Sequence, residues 1–266
     1  MCFDFQALPP LPPLTNLPPL FAQSNGGTST GEHIELVSAD GTHFTAYQTT
    51  PTQPNGAAIV VMPDVRGLFR FYEELADRFA DVGVAAIAID YFGRTAGVGT
   101  RSAEFEFMPH VMQTKPEQVA QDVAAAVTQL RQTSQTRAIF TVGFCFGGQQ
   151  SLFQAAQPHG LSGVVGFYGP PAANRFGGPT PLELSTQFTC PVLGLYGGAD
   201  QGIPVADVEK FDAALTAANI DHEIKIYDGA PHSFFDRTAE TYQQESADAW
   251  QRMLAFIDRY TPKASI

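Results

Sequence analysis

AIFTVGFCFGGQQ, residues 138–150, runs from an unbroken apolar segment directly into a cysteine held between glycines. Ala138 to Val142 has the composition of a strand covered on both faces. Gly143 precedes Cys145 by two residues, and Gly147 and Gly148 follow it. The pattern G-x-C-x-G has the form of the G-x-S-x-G nucleophile elbow, with sulfur replacing the hydroxyl. In such an elbow the reactive side chain sits in a tight strand-to-helix turn, and the flanking glycines let neighbouring backbone pass close by. A helix that starts at the cysteine also brings its positive end to the sulfur and favours the thiolate, the reactive form. The competing reading is a buried structural cysteine, the usual fate of a free thiol. The glycine bracket and the strand-then-helix setting favour the nucleophile.

Patterning on both sides of this turn predicts alternating strands and helices. HIELVS and HFTAYQTT flank an Asp40-Gly41 turn signal and read as a β-hairpin. AAIVVMP (57–63) is a continuous apolar strand, RFYEELADRFADVG (70–83) has helical spacing and stops at Gly83, and VAAIAIDYF (84–92) is a second buried strand. A helix over 116–133, a strand over 137–143, the helix from Cys145 and a strand over 163–169 follow. PVLGLYGGAD (191–200) is a strand with a Gly-rich exit. A helix over 204–219, a final strand over 223–229 and a helix over about 240–260 close the chain. This order predicts an α/β architecture: a mostly parallel sheet with an opening antiparallel hairpin and helices on both faces. No internal repeat and no second core are visible, so residues 32–266 read as a single domain. Residues 1–31 stand apart as a proline-rich N-terminal arm, with LPPLPPLTNLPPLF extended rather than helical. Its interspersed Leu and Phe favour packing along the domain or a neighbouring subunit.

Composition narrows the function classes. The 266 residues are 44% hydrophobic and 16% charged, ordinary values for a soluble globular protein. A formal charge of −12 argues against nucleic acid or anionic membrane as a partner, since phosphate binding needs a basic patch. No apolar run approaches a membrane span, and MCFDFQALPP lacks the basic and apolar regions of a secretory signal. Three cysteines, Cys2, Cys145 and Cys190, cannot all pair and show no metal-ligand spacing. A reducing, cytoplasmic setting with no metal or cofactor is expected.

A cysteine nucleophile needs a base, and the base needs an orienting acid. The elbow motif carries its partners in the chain order nucleophile, acid, histidine. Asp200 ends PVLGLYGGAD and His232 follows the last strand in YDGAPHSFF, so both lie at C-terminal ends of parallel strands, where such sheets build their sites. The other histidines fit less well: His33 and His43 are in the hairpin, His159 follows a helix, His222 precedes a strand, and His110 reads as a solvated loop residue. Asp228 and Asp236 are nearby carboxylates that read as turn or surface groups. For the oxyanion, the expected donors are the backbone N–H groups of Phe146 and of Val65 in the loop MPDVRGLF.

These motifs together resemble the dienelactone hydrolases, the carboxymethylenebutenolidase family of α/β-hydrolases. The resemblance covers about residues 32–260 and rests on GFCFGG, IDYFGRTAG, YGGAD and HSFFDR. It implies a Cys145-Asp200-His232 triad that hydrolyses an ester or lactone through an acyl-thioester. It also implies that Arg94 of YFGRTAG binds a substrate carboxylate, a planar anion that suits a guanidinium fork. Two departures stand out. The family's glutamate after the first parallel strand is Asp64 here, so a role in modulating the nucleophile passes to a shorter side chain. A second family arginine, just after the catalytic histidine, falls between Asp236 and Arg237, and Arg66 beside the oxyanion loop is an alternative anion contact. A dienelactone-like hydrolase of small esters or lactones is the leading expectation, as a monomer or homodimer. A broad carboxylesterase or thioesterase is the nearest alternative; a thiol redox sensor or an inactive binding scaffold leaves more residues without work. The loop 95–113 reads equally as a cover over the site or as ordinary crossover packing, and 169–188 as a wall of the acyl pocket. Cys190 reads as inert, and Cys2 as having no catalytic role.

Overall fold

The computed structural model describes Pro9, Pro18, Phe21 and residues 31–175 and 177–263. Its strands are β1 (Glu32–Val37), β2 (His43–Thr49), β3 (Ala57–Met62), β4 (Ala85–Ile89), β5 (Ala138–Phe144), β6 (Gly163–Phe167), β7 (Val192–Gly197) and β8 (His222–Tyr227). They form one sheet in the order β1-β2-β4-β3-β5-β6-β7-β8. β1 pairs antiparallel with β2, and β2 antiparallel with β4; every pairing from β4 across to β8 is parallel. The order reverses beside β3 and β5, so the crossovers leaving these neighbours go to opposite faces and open a crevice at their C-terminal ends. This is the α/β-hydrolase fold.

Helices α1 (Arg70–Asp81), α2 (Gly93–Ala96), α3 (Met108–Val111), α4 (Pro116–Thr133), α5 (Phe146–Gln154), α6 (Pro181–Leu184), α7 (Val205–Ala217) and α8 (Gln243–Tyr260) occupy the connections. The period of two along β3 shows how the layers divide. Ala57, Ile59 and Val61 join Phe71, Leu75 and Phe79 of α1 and Trp250 and Met253 of α8 in one core layer. Ala58, Val60 and Met62 join Val119, Val123, Ala126 and Val127 of α4 in the other. The i, i+4, i+8 spacing of Phe71, Leu75 and Phe79 puts all three on one stripe of α1, and Phe79 meets Trp250 at 5.2 Å between ring centroids. Leu152 of α5, Val164, Val192 and Phe211 of α7 form a third apolar group. Each such large side chain taken fully out of water contributes roughly 1.5–3 kcal/mol.

The strands after the hairpin, β5 excepted, stop earlier than the apolar runs predict. Asp90, Tyr91 and Phe92 lie beyond β4, and Gly198 to Asp200 lie beyond β7. These exits leave the ladder because their side chains serve the loops: Asp90 accepts from the backbone N–H groups of Leu68 (3.2 Å) and Phe92 (3.0 Å). Three single-turn helices, α2, α3 and α6, are too short to show periodicity. In the loop 95–113, Phe105 stacks on His110 at 4.9 Å and contacts Phe92 at 5.5 Å, while Val111 is wholly buried. His110 is therefore packed against aromatics rather than solvated. Met108 and Met112 face outward. These contacts are those of a crossover sealing the α4 face. The arm falls outside the described residues apart from Pro9, Pro18, Phe21 and Gly31, and Cys2 lies outside them entirely; Phe21 is fully buried in the layer that contains α1. No helix among the described residues is long and apolar enough to cross a membrane.

Candidate active site

Cys145 sits at the junction of β5 and α5 with φ 56° and ψ −112°. A non-glycine residue held there stores on the order of 1–3 kcal/mol, and such strain persists only where the surroundings impose it. The surroundings here are backbone. A Cβ on Gly143 would run into the carbonyl of Gly147, and one on Gly147 would strike the carbonyls of Met62 and Pro63. The glycines thus let α5 press against both β5 and the end of β3. The Cys145 N–H donates to the Phe167 carbonyl at 3.0 Å, which ties the turn to β6. One turn further along α5, Gln149 Nε2 donates to the carbonyls of Pro170 (2.6 Å) and Ala173 (2.5 Å), fastening the start of the 169–188 segment to the same helix.

Asp200 and His232 arrive from the exits of β7 and β8. Gly198 and Ala199 donate their N–H groups to the carbonyls of Tyr227 and Ala230, holding the two exits together. Asp200 Oδ2 accepts from His232 Nδ1 at 2.6 Å, and Oδ1 accepts from the Gly202 N–H at 2.8 Å, so both carboxylate oxygens are used. The carboxylate is 2% exposed and the imidazole 30%. Burial disfavours the imidazolium, but hydrogen bonds to Asp200 and to Cys145 outweigh it and push His232 up to about 10. The structure therefore brings Cys145, His232 and Asp200 together at this edge, with His232 bonded to Asp200 and Cys145 in its electrostatic range. Asp228 is exposed at its turn.

Two tyrosines wall the row, and neither stood out in the sequence. Tyr168, just past β6, has φ 38°, and its ring lies 5.0 Å from that of His232. Tyr91, just past β4, donates its hydroxyl to the Pro63 carbonyl at 2.8 Å and meets Phe146 edge-on at 5.2 Å. Both are fully buried phenols with Cys145 in electrostatic range. The only sequence signal for them was an aromatic at the end of each buried run, on the functional edge of the sheet.

Asp64 and Arg66, from the loop after β3, form a buried fork: Nε lies 3.0 Å from each Asp64 oxygen and Nη2 2.5 Å from Oδ2. Asp64 Oδ1 also accepts the Arg66 N–H and its carbonyl accepts the Gly67 N–H, closing a tight turn around Val65. Asp236 differs from its expected surface position. It is 5% exposed and within electrostatic reach of Asp64, Arg66 and Tyr168. Burial and then the negative charge of Asp64 push it up to about 6. Its burial was unreadable because the groups near it come from the exits of β3 and β6 and, with Tyr72, from α1. Arg237 donates its N–H to Asp236 Oδ1.

Arg94, in α2, is clamped. Nε donates to Asp40 Oδ2 and Nη1 to Asp122 Oδ2, each at 2.8 Å, and Ser38 holds the other Asp122 oxygen. The side chain is 13% exposed. The hydrogen bond from Arg94 brings Asp40 down to about 2. Arg94 therefore joins the hairpin turn to α4, and the planar anion expected for it is already supplied by the protein. Cys190 is buried, which pushes its thiol up to about 12. Among the described residues, no three His, Cys, Asp or Glu side chains group closely enough to hold a metal ion.

A family model for the dienelactone hydrolase family matches residues 44–261. The chain belongs to the dienelactone hydrolase family. Among its relatives in the family is a "Putative carboxymethylenebutenolidase" of Yersinia pestis, 31% identical over 231 residues, which cover 84% of this chain and 86% of the relative. A "Probable 2-oxo-3-(5-oxofuran-2-ylidene)propanoate lactonase" of Bradyrhizobium sp is 30% identical over 206 residues, covering 75% of this chain and 82% of that protein. The crystal structure of a "Putative Dienelactone Hydrolase" from Klebsiella pneumoniae superposes with a TM-score of 0.73 at 28% identity, over 86% of this chain and 100% of that one. As a dienelactone hydrolase family member, the chain is a hydrolase acting on esters or lactones.

Proposed function

We propose that the protein hydrolyses small esters or lactones with Cys145 as nucleophile, His232 as proton carrier and Asp200 as its orienting acid, through an acyl-thioester. The observation that carries this reading is the strained turn at Cys145 facing a histidine whose other nitrogen is locked onto a buried carboxylate. His232, pushed up to about 10, takes the proton of the thiol as Sγ attacks, so the reacting pair is thiolate and imidazolium. Sγ attacks the carbonyl carbon and the carbonyl electron pair moves to oxygen. The N–H groups of Phe146 and Val65 receive that oxygen: a helix does not use the N–H groups of its own first turn, and Val65 leaves β3, the strand that pairs with β5. Collapse expels the alkoxide, which takes the imidazolium proton and leaves as alcohol. Neutral His232 then removes a proton from water, whose oxygen attacks the thioester. The second collapse returns the thiolate and releases the acid. The net change is ester plus water to acid plus alcohol; for a lactone both groups stay on one molecule. Asp64 modulates the thiolate through its field, damped by the Arg66 fork. The −12 charge fits a small-molecule substrate rather than a polyanion, and a reducing cytoplasm would keep the thiol available.

A second reading, a broad carboxylesterase or thioesterase, is favoured by the clamp on Arg94. Turnover of a panel of lactones, aryl esters and thioesters separates the two, with Cys145→Ala as the blank. Asp200→Asn is expected to lower kcat by orders of magnitude with the circular dichroism unchanged, because the imidazole then loses its orienting acceptor. Full activity in Asp200→Asn would remove Asp200 from the triad.

A further inference from the structure

We propose that this site selects esters and lactones whose acyl part is uncharged and disfavours those that carry a carboxylate. The inference rests on the ester hydrolase reading above and adds the charge class of the substrate. Each of three arginines at the C-terminal edge of the sheet is turned inward onto carboxylates of the protein. Arg94 lies between Asp40 and Asp122, both at 2.8 Å. Arg66 forks Asp64, with Asp236 as a second carboxylate in electrostatic reach. Arg101 Nη2 holds the fully buried Asp90 at 2.7 Å. Two of the three cations are thus outnumbered two to one. A guanidinium committed to a buried carboxylate gives an incoming anion little to bind unless that pair is broken, and breaking it leaves a charge buried without compensation.

These pairs reach the reacting sulfur through shared neighbours. Tyr91 lies in the field of Asp64, Asp90, Asp122 and Cys145 together, and Tyr168 in that of Asp236 and Cys145. Asp236 is four residues from His232, and Tyr168 packs on the His232 ring. An acyl chain entering beside Cys145 therefore meets aromatic walls and carboxylates, with Arg66, Arg94 and Arg101 already engaged by the protein. In a cleft with low-dielectric walls, like charge is felt more strongly than in water.

The test uses matched 4-nitrophenyl esters of similar length: the pentanoate, uncharged, and the hemiglutarate, which ends in a carboxylate. We expect kcat/KM for the hemiglutarate to be at least ten-fold lower, with the gap narrowing as salt rises from 0.02 to 0.5 M and screens the repulsion. In Asp236→Asn the ratio of the two substrates should move toward one; because it is taken within one variant, general damage cancels. Equal turnover of both esters, or faster turnover of the hemiglutarate, would overturn the proposal. An anion preference abolished in Arg237→Ala would overturn it too and assign the contact to that arginine. Hydrolysis of neither ester beyond the Cys145→Ala background would instead refute the ester hydrolase reading, so the two failures are distinct.

Discussion

Asp236 gives a titration that can be read in stability. Its carboxyl is raised to about 6 in the folded chain, against roughly 3.9 for an unperturbed aspartate. Below pH 4 both states are protonated. Between about 4 and 6 the unfolded chain releases its proton while the folded chain keeps it, so stability falls as pH rises through this window. Two pH units correspond to about 3 kcal/mol, and the loss is complete above pH 7. Asp236→Asn removes this dependence. Its melting temperature relative to the parent should therefore be several degrees more favourable at pH 8 than at pH 4. An equal difference at both pH values would show that Asp236 titrates normally. Cys190 offers a second contrast: with its thiol pushed up to about 12 by burial, it should stay unmodified by iodoacetamide at pH 7.5 while the peptide containing Cys145 is alkylated. Rapid labelling of Cys190 in the native protein would contradict that burial.

The loop elements are held by buried charge as well as by apolar packing. Arg94 links α2 to the β1–β2 turn through Asp40 and to α4 through Asp122, a carboxylate with 1% exposure. Removing the guanidinium strands Asp122 without its counter-ion, a loss of about 3–5 kcal/mol for a broken buried pair. Arg94→Ala should melt earlier by that amount, and Arg94→Ala/Asp122→Ala together should recover part of it. An unchanged melting temperature would show that the clamp contributes nothing. The predicted strands and long helices match the structure because each reads from one period: two faces buried in β3 and β5, one stripe in α1. The single-turn helices and the Arg94 clamp were not legible, since partners from the hairpin turn and from α4 decide them. A charged residue after a buried strand looks the same in sequence whether it faces a substrate or a carboxylate on another element.

In the whole molecule, the sheet order brings distant segments to one edge. Cys145 leaves β5, Asp200 leaves β7 and His232 leaves β8, while Val65 follows β3 and Tyr168 follows β6. That Cys145, Asp200 and His232 meet at this edge was readable because each residue follows an apolar run closely enough to mark a strand exit. The tyrosine walls and the buried Asp236 needed the assembled edge. The central claim is that Cys145 carries the acyl group. It is tested by mixing the protein with a slowly hydrolysed aryl ester, quenching in acid within the first turnovers, and measuring the mass of the intact chain and its peptides. We expect one acyl group on the peptide containing Cys145, removable by hydroxylamine at neutral pH, and neither adduct nor turnover in Cys145→Ala. An adduct on another residue with turnover intact in Cys145→Ala would contradict the account.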